Sequence, residues 1–140
     1  METVVRNPAE GVYPATDDYV HALEVRDARR LLFVSGTMGL EANGEPGATL
    51  ERQLDLIWAN IRTILASADM TLDNVVRLTS YLTDPAGACL RAGLQPEPGA
   101  EANAAARIAA LGGRAIPTTA IVVQTLVSDW LVEIEVIAAA

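Results

Sequence analysis

The sequence predicts an α+β domain, with a mixed sheet of about five or six strands and two helices on one face. Three observations carry this. Short apolar runs such as VHALEVR, LLFVSGT, VVRLTSYLT and WLVEIEV are bounded by turn residues, as strands are. Two longer stretches place apolar residues at helical spacing instead. The resulting order is β-β-α-β-α-β-β over 140 residues, without repeats or an internal linker, so a single domain spanning 1–140 is expected.

Taken in order, residues 1–18 contain Asn7, Pro8, Gly11 and Pro14 and read as an irregular lead-in. Val20–Arg26 alternates polar and apolar positions and reads as a strand. Asp27-Ala28-Arg29 would turn it into a second strand, Leu31–Thr37, so that the two form a hairpin. Leu31–Val34 is apolar without a break, the pattern of a strand buried on both faces. Glu41–Ala48 is a Gly/Pro loop. Leu50, Leu54, Ile57, Ile61, Ile64 and Leu65 then recur at helical spacing behind Thr49, a good N-cap, and the helix is expected to run to about Asp69.

Val75–Thr83 reads as the third strand, stopped by Asp84-Pro85. Residues 85–100 look irregular. An Ala-rich helix over Glu101–Leu111 should stop at Gly112-Gly113. Thr118–Leu126 is the fourth strand, Val127-Ser128-Asp129 a tight turn, and Trp130 to about Ala138 the last strand. Within it, Glu133 and Glu135 share one face with Leu131 and Ile137. Two helices can cover only one face of such a sheet, yet several strands look apolar on both. A second copy of the chain is the simplest cover, so a homo-oligomer is expected.

Composition narrows the chemistry. An apolar fraction of 51% describes a folded chain. No apolar run reaches the roughly 18 residues that a membrane span needs. METVVRNPAEG lacks a charged-then-apolar signal pattern, so a cytoplasmic location is expected, with no membrane partner. A net charge of −8 with no basic stripe repels phosphate backbones, so nucleic acid is not an expected partner. All ten basic residues are Arg, which rules out Schiff-base and P-loop lysines. With one His (His21) and one Cys (Cys89), neither a His-rich nor a Cys-rich metal site can form, and a serine-type triad would need His21 as its base. Cys89 cannot form an internal disulfide and suits a reducing compartment.

Several segments together resemble one family. LLFVSGTMGL (31–40) is similar to the "LxFxSGQxP" strand of the Rid family, the YjgF-like reactive-intermediate deaminases. QLDLIWANIRTILASADMTLDNVVRLTSYLTD (53–84) resembles its helix, turn and strand, and LVEIEVIA (131–138) its closing "LVEIEAIA". The resemblance covers about residues 19–84 and 117–139. It implies a chorismate-mutase-like fold, a homotrimer with its sheets facing inward, and small-molecule pockets at the subunit clefts. It also implies hydrolysis of enamines or imines such as 2-aminoacrylate, with neither metal nor cofactor.

Carried over by position, the resemblance makes Glu133 the carboxylate that positions a water, and places Tyr19, Ser35 and Gly36 along the pocket. The family's carboxylate-binding arginine falls on Thr118, followed by Thr119 and Ala120. Replacing a bidentate guanidinium contact with a hydroxyl costs about 1.5–3 kcal/mol, so a typical 2-aminoacrylate deaminase is not expected. Arg114, four residues upstream, is a candidate replacement anchor. Each residue also has a plainer reading. Glu133 could be a structural carboxylate, Glu135 the partner of an arginine such as Arg77, Tyr19 a core tyrosine, and Ser35 a strand-end hydrogen bonder. His21 shares a face with Tyr19 but has no acid beside it in sequence. Two functions follow: a divergent Rid-type hydrolase or deaminase, or a non-catalytic trimer that binds a small metabolite and regulates a partner.

Overall fold

The computed structural model describes residues 1–84 and 98–140. Cys89 and most of the segment expected to be irregular lie outside the described residues. Six strands are present among them: β1 (Glu2–Arg6), β2 (Ala22–Arg26), β3 (Leu31–Met38), β4 (Val75–Leu82), β5 (Thr118–Val122) and β6 (Val132–Ala139). The described residues also form two α-helices, α1 (Leu50–Ala66) and α2 (Pro98–Ala110). The main sheet has the order β3-β6-β4-β5, antiparallel except for the parallel β4–β5 pair. β1 and β2 form a separate antiparallel ribbon.

This corrects two expectations. The lead-in is not wholly irregular, since Glu2–Arg6 is a strand, and β2 pairs with it rather than with β3. The predicted hairpin fails because its turn is used elsewhere. Arg29 and Arg30 donate their backbone N–H groups to Ala140 O at 2.7 and 2.9 Å, and Ala140 N donates to Arg30 O at 3.0 Å. The chain after Asp27 therefore extends the β3–β6 ladder. The ribbon is instead an antiparallel ladder between β1 and β2, with Arg6 pairing across it to Glu24 and Arg26 to Glu2 as exposed contacts.

Helix α1 forms as its spacing demands. Thr49 caps it, accepting from Arg52 N at 3.2 Å, and Leu54, Ile57, Ile61 and Leu65 are buried along one stripe. Burying each such side chain contributes about 1.5–3 kcal/mol, and Ile57→Ala would cost about 2–5 kcal/mol. The helix ends at Ala66, three residues sooner than expected, where Ser67 caps it and Asp69 takes a φ of 55°. Helix α2 stops at Gly112 and Gly113, whose φ values of 61° and 78° suit glycine, with Gly113 N donating to Ile108 O at 2.9 Å.

Both helices pack on the same side. Their apolar residues join Val34, Leu78, Leu82, Val132, Ile134 and Val136 in one core. The other side of the sheet has no cover among the described residues. There Phe33 is 71% exposed and Leu31 is exposed as well. β5 ends at Val122 rather than at residue 126, and Ile121, Val122, Leu126 and Val127 are exposed large apolar groups.

Candidate functional site

Glu133 sits on β6 between β3 and β4, on the uncovered face, opposite Met38 and Tyr81. The alternation of β6 puts Val132, Ile134 and Val136 in the core and leaves the two glutamates half-buried on the other side. Next to Glu133 the β3 ladder is irregular. Val34 pairs with Val136 and Thr37 with Ile134, so three steps along β3 answer to two along β6. Ser35 and Gly36 occupy this bulge, a device that re-aims side chains beside functional sites. The Glu133 carboxylate lies over Gly36, where a Cβ would come within 2.7 Å of Glu133 Cδ. Glu133, Ser35 and Gly36 are thus brought together, beside a groove of about 570 Å³ that Ser35, Gly36, Met38, Asn60, Thr63 and Ile64 line.

Glu135 lies one rung away. Its partner is the Tyr81 hydroxyl, which donates to Oε1 at 3.1 Å, while Arg77 Nη2 donates to Thr119 Oγ1 at 3.0 Å. The pairing of Glu135 with Arg77 is therefore not formed. Loss of surrounding solvent, and then the bond to Glu135, pushes the Tyr81 phenol above its usual range.

Thr118 lies elsewhere. It pairs with Leu78 on the helix side of the sheet, and its hydroxyl accepts from Arg107 Nη1 at 3.1 Å and donates to Ile116 O at 3.1 Å. Arg107, on α2, is only 5% exposed. It also donates to Asp18 O at 2.7 Å and pairs with Asp18 Oδ2 at 2.6 Å. Hydrogen bonding from Thr16, then that guanidinium, holds the Asp18 carboxyl below its usual range against the opposing effect of burial. Sequence reasoning missed Arg107. Asn103, Arg107 and Leu111 recur every fourth residue and are all buried, so helical spacing alone carried the signal.

Tyr19 is half-buried and bridges to Ile116, next to β5. His21 Nε2 donates to Tyr13 O at 2.7 Å, and its ring stands edge-on to Tyr13 and Tyr19 at 5.1 and 5.7 Å, so it is engaged within the lead-in. Ala120 is exposed on β5. Arg114 does not reach either glutamate. Its Nη1 donates to Val75 O at 2.8 Å and its Nη2 to Leu72 O at 2.7 Å, tying the turn before β4.

The candidate residues fall into two groups. Glu133, Ser35 and Gly36 belong to the β3–β6 side, whereas Tyr19, Thr118 and Ala120 belong to the β5 edge. Ser35 and Gly36 on β3 are three strand spacings from β5, about 14 Å, and Glu133 on β6 is two, about 10 Å. A single protomer does not unite the two groups in one pocket. Among the described residues, no group of three or more His, Cys, Asp or Glu is placed to hold a metal, and no helix is long and apolar enough to cross a membrane.

Comparison with known proteins agrees with the fold. The profile of a family described as endoribonuclease L-PSP matches residues 11–140. A RutC family protein, YjgH of Escherichia coli (strain K12), is 40% identical over 55 residues, a match spanning 39% of this chain and 42% of that protein. A crystal structure of the Rid-family protein YyfB from Yersinia pestis, of unknown function, superposes with a TM-score of 0.79 at 30% identity, covering 100% of both chains. A YjgH structure superposes with a TM-score of 0.64 at 26% identity over 99% of this chain and 97% of that one.

Proposed function

Since this chain belongs to the endoribonuclease L-PSP family, which includes the Rid proteins, we propose that it is a cofactor-independent hydrolase of imines or enamines. It works as a homotrimer whose active sites lie in the clefts between subunits. The observation that carries this reading is the division of the candidate residues within the sheet: Glu133, Ser35 and Gly36 lie on β6 and β3, whereas Thr118 and Ala120 lie on β5, two strands or more away. A cleft formed where the β3–β6 side of one copy meets the β5 edge of the next would unite Glu133, Ser35 and Gly36 with Tyr19, Thr118 and Ala120. The exposed Phe33 and Leu31 give the uncovered face an apolar reason to associate.

In that cleft Glu133 acts as general base. The reacting species is the iminium ion, formed by protonating an imine on nitrogen or an enamine on carbon. Glu133 takes a proton from water as the oxygen attacks the iminium carbon, giving a neutral carbinolamine. The carboxyl returns that proton to nitrogen, and as the C–N bond breaks the hydroxyl proton passes to the carboxylate, so that ammonia and a carbonyl compound leave. Carboxylate general bases supply about 10²–10⁴-fold in rate.

The test uses freshly generated imines of several amino acids, with ammonia and keto-acid release as readouts. Glu133→Gln should lower turnover at least about 100-fold. Wild-type turnover by Glu133→Gln would refute a Glu133-bound water.

One observation favours a second reading, a non-catalytic metabolite-binding trimer. Position 118 offers only a hydroxyl already bonded to Arg107, and Arg114 is bonded to main-chain carbonyls, so neither supplies the usual carboxylate anchor. Saturable binding without turnover would favour it. RNA cleavage fits poorly with a net charge of −8 and an engaged His21 ring.

A further inference from the structure

On the uncovered face, Arg77 and Glu135 line one cavity of about 280 Å³ together with Phe33, Ser35, Thr79 and Ile137. The two charges do not pair. Arg77 on β4 leans towards β5, where Nη2 donates to Thr119, while Glu135 on β6 accepts from Tyr81. Neither belongs to an ion pair among the described residues. These bonds engage one guanidinium nitrogen of Arg77 and one carboxylate oxygen of Glu135. The remaining donors and the second carboxylate oxygen are left for something else, in a half-buried setting where opposite charges attract more strongly than in bulk water.

We propose that this cavity is a second small-molecule site, centred on Arg77 and Glu135 rather than on Glu133 and adjoining the Glu133 group at Ser35, that takes a compact zwitterion of the α-amino-acid class. Its carboxylate sits on the Arg77 guanidinium, its ammonium on Glu135, and a small apolar side chain lies against Phe33 and Ile137. The Ser35 and Thr79 hydroxyls offer the remaining polar contacts. Charge sets the class and size limits it: typical ligand pockets run from about 300 to 1,000 Å³, so this cavity lies at the small end and has room for an amino acid. A simple anion or a simple amine would satisfy one charge and leave the other unpaired, which is costly once the face is covered. In the proposed trimer this face lies against sibling subunits, so the site would be enclosed.

The test is calorimetric titration of the whole protein with L-alanine, acetate and methylamine, none of which is an imine. L-Alanine should bind at least about tenfold more tightly than either singly charged probe. Arg77→Gln and Glu135→Gln should each remove that preference, with circular dichroism and sedimentation checking that the variants fold and assemble as wild type does. Glu133→Gln should still bind L-alanine, so a failure of the hydrolase reading leaves this one standing. If wild type binds L-alanine no better than acetate, or binds none of the three, the proposal falls without recourse to a variant. Unchanged L-alanine binding by both well-folded variants would likewise overturn it.

Discussion

Gly36 lies beneath the Glu133 carboxylate, so close that a Cβ at position 36 would come within 2.7 Å of Glu133 Cδ. The glycine is required by what crosses it, and the β3 bulge brings the two together. Gly36→Ala should therefore move the carboxylate while sparing the fold, because the obstacle is the far end of a flexible side chain. Turnover of imines should fall about 100-fold or more, with a thermal midpoint close to wild type. Ammonia release and a melting curve on the same preparation check both halves.

Gln53 ties the first helix to the strand that carries the carboxylate. It is 2% exposed, and its Nε2 donates to Gly47 O and Asp129 O, both at 2.8 Å, while its Oε1 accepts from Leu131 N at 2.9 Å. Gln53→Leu strands these backbone groups, and each unsatisfied buried group costs about 1–3 kcal/mol. Urea denaturation should show a loss of at least about 2 kcal/mol.

Acid should loosen the join between the lead-in and α2. The Asp18 carboxyl is held low by the Thr16 hydroxyl and by Arg107, so its folded pKa lies below its unfolded one. The associated stability is fully present above the ordinary aspartate range and is lost as pH falls through the lowered folded value. Asp18→Asn should flatten that part of the acid limb of stability against pH. At neutral pH it leaves the buried Arg107 without its counter-charge, a cost of about 1–3 kcal/mol once the partial exposure of Asp18 is allowed for.

Substrate preference should follow position 118. With a threonine hydroxyl there, bonded to Arg107, 2-aminoacrylate loses about 1.5–3 kcal/mol of anchoring. That converts to a kcat/KM roughly 10–150-fold lower than for an imine that needs no such contact. Competition assays with the two substrate types measure the ratio directly.

The elements whose periodicity reports burial were legible in the sequence. α1, with Thr49 as its cap, β4 and β6 were all expected close to their observed bounds, since each buries a stripe or an alternating face. β1 was not, because Glu2–Arg6 buries almost nothing, and its ladder to β2, with the Arg6–Glu24 and Arg26–Glu2 pairs across it, shows in no local pattern. The β2 partner was misread because the turn at 27–30 bonds to Ala140, more than a hundred residues away. At the candidate site, the alternation of β6 put Glu133 and Glu135 on one face. Counting positions placed Thr118 at an arginine site without revealing that Arg107, from another element, already fills its hydrogen bonds. Contacts between elements distant in sequence leave no periodic trace in either one.

Sedimentation velocity on the purified chain addresses the reading on which the rest depends. The uncovered sheet face and the divided half-sites predict a single three-subunit species, with imine turnover confined to that species. A stable, fully folded monomer that hydrolyses imines would contradict it, because both halves of the site would then have to act within one sheet that keeps them two strands or more apart.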